Sequence, residues 1–366
     1  MGGRHMDPRH GRRTGLATGF TLIEMLVVIA IIAIVVVIAF PALAGARNAA
    51  RRAATTALMT DLGKACDQFQ IDNRRAPGYY SSRIMGRQQN MNTEGFTNME
   101  NIMLDLAGGI VVTPPAGETT LQVGPTSINP NPSNPEARVH VLVRLIGAKH
   151  DGRSQYWSPD ERNFVSRNGN GQVGSQANRD LPDVVDSWGT PILAWVQDDI
   201  VSGQDSFFAL EHSGSANDRG RYYWASNAGH LKSTALGKLG KPQATPTGAG
   251  REDEQSLLGP QWSWDARART MAGLLGNPVY PEPASPPDNP IPSRGRAGIV
   301  FHSAGTDGIF LNRRDTGGKQ AAAAGGGGDP FVRYNPPAPA TTPGAPLPKP
   351  IDPLDGFDDL VVTSIN

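Results

Sequence analysis

The sequence is poor in the features that most often carry chemistry. A single cysteine, Cys66, occurs in 366 residues, which excludes an internal disulfide and any thiolate metal cluster. An exported domain built from this chain has to find its clamp elsewhere. Neither sign of charge is in excess: 34 Lys plus Arg balance 34 Asp plus Glu, so composition gives no argument for nucleic acid or an acidic surface as partner. The seven histidines are scattered, and His-Glu-x-x-His, phosphate-loop and Gly-x-Ser-x-Gly patterns are missing. The His-Ser pairs at His212 and His302 set neighbours on opposite sides of an extended chain. The expectation is a protein that is not an enzyme. No convincing internal repeat appears. With 43 Gly and 31 Pro, one folded domain with long irregular insertions is expected rather than two full cores.

Charge is also missing locally. From Met25 to Phe40 every residue is apolar, and no charged residue occurs from Met25 to Ala46. Together with Phe20–Ile23, a helix of this length spans roughly 30 Å of hydrocarbon at about 1.5 Å per residue. Ahead of it lies a leader with Arg4, Arg9, Arg12 and Arg13 against Asp7, a bias that leaves that end in the cytoplasm, although Arg47, Arg51 and Arg52 follow closely. A secretory signal peptide cut after Ala42-Leu43-Ala44, a plain single-pass anchor and a buried core helix compete for the segment. None of them accounts for Glu24. A carboxylate inside a bilayer costs about 2.5–3.5 kcal/mol on insertion scales.

A cut between Gly19 and Phe20 supplies a partner for that acid. The new α-amine of Phe20 then lies at the same depth as Glu24 of a neighbouring subunit, and the pair registers one helix against another. The stretch GFTLIEMLVVIAIIAI resembles the cleavage and methylation segment of type IV pilins and of the pseudopilins of type II secretion systems. The resemblance implies a prepilin peptidase that cuts after Gly19 and methylates the amine of Phe20, and an assembly role for Glu24. It also implies extraction from the membrane into a helical filament. Pro41 sits where these proteins often carry a helix-kinking proline.

Beyond Pro41 the Ala-rich sequence continues as a helix. Leu58, Leu62, Ala65, Cys66 and Phe69 draw one apolar stripe, on which Cys66 reads as a small buried hydrophobe. Pro77 and Gly78 predict an end near Asn73. Further helices are expected at Asn98–Leu106, capped by Thr97, and at Asp265–Leu275. Strands are expected at Arg138–Leu145, Ile192–Val196, Ser206–Leu210, Tyr222–Ala225 and Ala297–His302.

Two stretches of the head also resemble the pseudopilins. DSWGTPI, Asp186–Ile192, resembles the turn that leads into a sheet strand in the major subunits; Asp186 is suited to accept turn amides, and Trp188 is expected against the long helix. SAGTDGIF, Ser303–Phe310, and DGFDDLVV, Asp355–Val362, together resemble the carboxy-terminal calcium loop. The resemblance implies Ca2+ on Asp307, Asp358 and Asp359, with Asp315 as a spare ligand, and that ion supplies the clamp a lone cysteine cannot. The two halves are far apart in this chain, but loop-closure entropy grows only logarithmically with length.

These readings give an α+β, pilin-like fold: a long N-terminal helix on an antiparallel sheet, with Pro/Gly-rich insertions. The segments expected are a leader at 1–19, a transmembrane half-helix at 20–46 and an amphipathic half at 47–75. A head at 76–316, a low-complexity insertion at 317–353 and a terminal loop and strand at 354–366 complete the chain. The resemblance implies a structural subunit of a type II secretion pseudopilus or type IV pilus-like filament. Its partners are homologous subunits, prepilin peptidase, an inner-membrane assembly platform and, before assembly, membrane lipid. It passes once through a bacterial inner membrane with its head in the periplasm, and later enters a periplasmic or extracellular filament. The alternative is an exported or anchored protein that binds calcium or another ligand.

Overall fold

The computed structural model describes residues 20–92, 95–127, 138–148, 155–166, 176–198, 209–210, 221–244, 254–280, 292–316, 332, 334 and 352–364. The leader at 1–19 and nearly all of the low-complexity insertion lie outside them. The chain divides into two units, one ending at Ala50 and the other starting at Arg51. Helix α1, Leu22–Asn73, contributes to both and runs on through Pro41, whose missing N–H removes one rung of the hydrogen-bond ladder.

In the first unit every described residue, Phe20 to Ala50, is exposed. This stretch of α1 is long and apolar enough to cross a membrane. In the second unit the rest of α1 buries Thr55, Met59, Leu62, Gly63, Ala65, Cys66 and Phe69. The helix stops where Arg74 turns left-handed at φ 55°, with the Asn73 Nδ2 donating to the Phe69 carbonyl at 3.0 Å.

The remaining helices of the second unit are α2 (Ser82–Met85), α3 (Asn98–Leu106), α4 (Gln176–Asp180), α5 (Ala228–Leu231) and α6 (Trp264–Leu275). Its strands are β1 (Ile110–Val111), β2 (Leu121–Val123), β3 (Val139–Val141), β4 (Phe164–Val165), β5 (Asp183–Val184), β6 (Leu193–Val196), β7 (Ala209–Leu210), β8 (Tyr222–Tyr223), β9 (Ile299–Ser303) and β10 (Leu360–Thr363). They form antiparallel sheets β10-β9-β6 and β1-β3-β2, an antiparallel pair β4-β5 and a parallel pair β7-β8.

The β10-β9-β6 sheet is the centre of the second unit because both of its faces are covered. Alternation sends Ile192, Ala194, Val196, Ile299 and Phe301 to one side, where they pack with Met59, Leu62, Cys66 and Phe69 of α1 and Met99, Ile102 and Met103 of α3. Leu193, Trp195 and Val300 go to the other side, against Tyr222, Trp224 and the α6 residues Met271, Leu274 and Leu275. Burying a side chain of the size of Leu or Met contributes about 1.5–3 kcal/mol, so each face is a substantial store of stability. A third cluster joins Tyr80, Met85, Phe96 and Leu104 to Val123, Val139 and Val141 of the β1-β3-β2 sheet.

Several expected elements appear shortened. Helix α3 has the predicted bounds and opens with a capping box in which the Thr97 N–H and hydroxyl donate to Glu100 at 2.7 and 2.9 Å. The strand expected over Arg138–Leu145 keeps only Val139–Val141, because Val143–Leu145 forms a 3₁₀ turn, and Tyr222–Ala225 likewise yields to a 3₁₀ turn at Trp224–Asn227. Of Ser206–Leu210, only Ala209 and Leu210 lie among the described residues.

Candidate functional sites

The acid in the apolar run has a partner within its own helix. Thr21 stands at the N-cap and Glu24 at the third helical position. The Thr21 N–H and hydroxyl donate to Glu24 Oε2 at 2.8 and 2.7 Å, and the Glu24 N–H is 3.3 Å from the Thr21 hydroxyl oxygen. This is a reciprocal capping box, the same Thr-x-x-Glu device that opens α3. It answers two of the N–H groups that a helix start leaves without partners. A cut after Gly19 leaves the Phe20–Thr21 peptide intact, so the box survives the cut. Both bonds to the carboxylate use Oε2, and Oε1 makes none to the described residues, so one oxygen remains for a cation outside the helix. Thr21 was not singled out in the sequence, although the [S/T]-x-x-[E/Q] pattern marks it. Phe20 is exposed, and Gly19 lies outside the described residues.

The prokaryotic N-terminal methylation motif matches residues 17–40. With the apolar helix that continues it, the match fits a type IV pilin-like protein. The match covers the N-terminal segment only. No curated protein and no solved structure matches the chain.

In the second unit, the DSWGTPI turn is built around the buried carboxylate of Asp186. Its Oδ1 accepts from the backbone N–H of Trp188 and of Thr190, both at 2.9 Å, and its Oδ2 accepts from the Ser303 hydroxyl at 2.7 Å. Burial outweighs these bonds and pushes its pKa up to about 6. Gly189 sits at φ 84°, and a Cβ there would lie 2.7 Å from Lys238 Cβ. The turn meets α1 through Ser187, whose N–H donates to the Thr55 hydroxyl at 3.1 Å, while Trp188 is buried.

The acidic loops come together across the long sequence gap. Strand β10 lies beside β9, with Leu360 opposite Ser303 and Val361 opposite His302, which brings Asp358 to the Ser303–Phe310 loop. Asp358 Oδ2 accepts from the N–H groups of Thr306 and Asp307 at 2.7 and 3.1 Å. Gly305, at φ 66°, permits this approach, since a Cβ there would stand 2.3 Å from the Asp358 carbonyl oxygen. Asp307, Asp315 and Asp358 each offer an oxygen within 4.8 Å of the others. Asp307 is held by the Ile309 N–H at 2.8 Å and by the Asn312 side-chain amide.

Asp359 goes elsewhere. Its Oδ1 lies 2.6 Å from His302 Nε2 and accepts from the Leu311 N–H at 2.9 Å, with both side chains of the His302–Asp359 pair buried. The cluster therefore contains Asp315, the residue read as a spare, and not Asp359.

The donor set fits a hard cation. Asp358 Oδ1 and Asp315 Oδ2 are buried without a hydrogen-bond partner among the described residues. Burial, with the neighbouring Asp358 carboxylate, pushes Asp307 up to about 7 and Asp315 up to about 6. Carboxylates crowded in this way either take up protons or bind a cation, and an all-oxygen set suits Ca2+.

Proposed function

We propose that the chain is a structural subunit of a type II secretion pseudopilus or a type IV pilus-like filament, and that it acts by assembly rather than catalysis. The match of the methylation motif to residues 17–40 carries this reading. Prepilin peptidase cuts between Gly19 and Phe20 and methylates the new amine. The subunit waits in the inner membrane with its head in the periplasm, and Glu24 then pairs with the Phe20 amine of a neighbour as the assembly platform adds it to the filament. The free Oε1 of Glu24 supports that pairing, because capping its own helix uses only Oε2. The DSWGTPI turn and the acidic loops favour the pseudopilus over the pilus.

Mass spectrometry of the mature protein tests the processing. A methylated N-terminal Phe20 is expected, and a chain starting at Gly45 would refute the reading. Glu24→Ala should leave processing intact and abolish entry into the filament; normal assembly of that variant removes the electrostatic account.

The second part of the proposal is a bound Ca2+ held by Asp307, Asp315 and Asp358, with backbone oxygens and water completing the six to eight ligands it takes. It clamps the terminal strand β10 to the loop after β9. The test is a melting curve in calcium against one in chelator: stabilisation that disappears in Asp358→Asn is expected, and identical curves would rule the ion out.

A further inference from the structure

A groove of about 800 Å³ opens beside the DSWGTPI turn, and the proposed function makes no use of it. Its walls carry Arg51 of α1, Arg162 and Lys238, together with Val165, Trp188 and Leu239. All three cations are exposed. Arg162 is paired with Asp160 at 2.7 Å, whereas Arg51 and Lys238 make no ion pair with the described residues. The acids lining the groove, Asp183 and Asp186, are almost fully buried, and Asp186 is already bonded to two turn amides and the Ser303 hydroxyl. Lys238 is held at the rim by its own N–H, which donates to the Gly189 carbonyl at 2.9 Å. The indole N–H of Trp188, a residue only 6% exposed, has no partner among the described residues. Val165 and Leu239 expose 46% and 45% of their surface at the same groove, a large share for aliphatic side chains.

Unpaired cations beside exposed aliphatic groups suit a ligand that is anionic at one point and oily next to it. Arg51 also follows Ala46, the last residue of the uncharged run, by five residues of the same helix. At about 1.5 Å per residue that is less than two turns, which is headgroup depth for a helix whose apolar run sits in hydrocarbon.

We infer that this groove binds the phosphodiester headgroup of an anionic phospholipid in the leaflet that the second unit faces. Arg51 and Lys238 neutralise the phosphate, and Val165 and Leu239 rest on the upper acyl region. Such contacts steady the membrane-resident subunit before it is extracted. The inference rests on the proposed membrane-resident state, and its test separates the two.

The full chain is placed in nanodiscs of phosphatidylcholine alone or mixed with phosphatidylglycerol, and amide exchange is followed over residues 183–191 and 237–239. Exchange slowed at least fivefold by phosphatidylglycerol is expected, since one basic side chain at a charged leaflet contributes about 1 kcal/mol. The double variant Arg51→Glu, Lys238→Glu should lose that slowing. If it does not fold, Lys238→Gln should reduce the slowing by about half on a logarithmic scale. Equal exchange in the two lipids overturns the inference while leaving the anchor in place. Equal protection from soluble glycerol phosphate over neutral discs overturns it in favour of a free-phosphate pocket. Protection that follows the number of chains per disc, whatever the lipid, overturns it in favour of a second copy. A chain that does not enter the discs refutes both the anchor and the groove.

Discussion

Helix α1 holds two contrasting stretches in one unbroken span. From Met25 to Leu43 it is apolar on every side and exposed, whereas from Thr55 to Ile71 it buries a single stripe and leaves residues such as Lys64 and Ile71 outside. The first pattern has no preferred face, and lipid or equivalent neighbours on all sides suit it. The second has one face matched to a sheet and a helix. Hydrophobicity alone therefore does not say what a helix is for; the angular distribution of its apolar residues does.

The widest separation between the two stretches is expected from truncating the packed side. Leu62→Ala should destabilise the second unit by about 2–5 kcal/mol, because Leu62 is completely buried between α3 and the sheet. Ile32→Ala should leave its denaturant midpoint within experimental error. Equal losses would dissolve the contrast.

A smaller effect, roughly 1–3 kcal/mol, is expected from Thr55→Val. The variant is close to isosteric and strands the Ser187 N–H that Thr55 accepts. Chemical denaturation of that variant, compared with an exposed control such as Thr56→Val, isolates the hydrogen bond.

Acidity should act on the packed side. The Asp186 carboxyl titrates near 3.8 when unfolded and near 6 when folded, so the native state holds its proton more tightly. Its contribution to stability is complete below about pH 4 and is lost as pH rises through 6. Melting temperatures between pH 4 and 7 should thus decline more steeply in the native protein than in Asp186→Asn, by a few degrees at most. Parallel slopes would show that the carboxyl does not titrate there.

The mildest probe reads thiol reactivity rather than stability. Cys66 is buried, and burial raises its thiol pKa well above the ordinary value, so alkylation should wait for unfolding. In a Cys66→Ala background, Ile71→Cys, at a position 72% exposed, should label at the rate of a free thiol.

Much of this was legible from residue order. The stripe from Leu58 to Phe69, the stop at Asn73 ahead of Pro77 and Gly78, and the Thr97 cap of α3 are local signals, and local signals fix helix ends. The strand expectations run too far at Leu142–Leu145 and Trp224–Ala225, where 3₁₀ turns at Val143–Leu145 and Trp224–Asn227 take over from the extended chain. The acidic cluster shows a different limit. Asp358 and Asp359 are neighbours in the chain, yet one carboxylate faces the Thr306 and Asp307 amides and the other His302. That Asp315 completes the group depends on the chain folding back after Phe310, which no local pattern announces.

The pairing of β9 with β10 also makes the chain easy to re-engineer. Four consecutive cross-strand partners, Val300 to Ser303 against Thr363 to Leu360, set the two ends of the stretch 304–359 side by side. An epitope, enzyme tag or affinity peptide spliced there inherits anchored ends at little entropic cost, since lengthening a closed loop is penalised only logarithmically. In the proposed filament, such a subunit would display its passenger once per protomer.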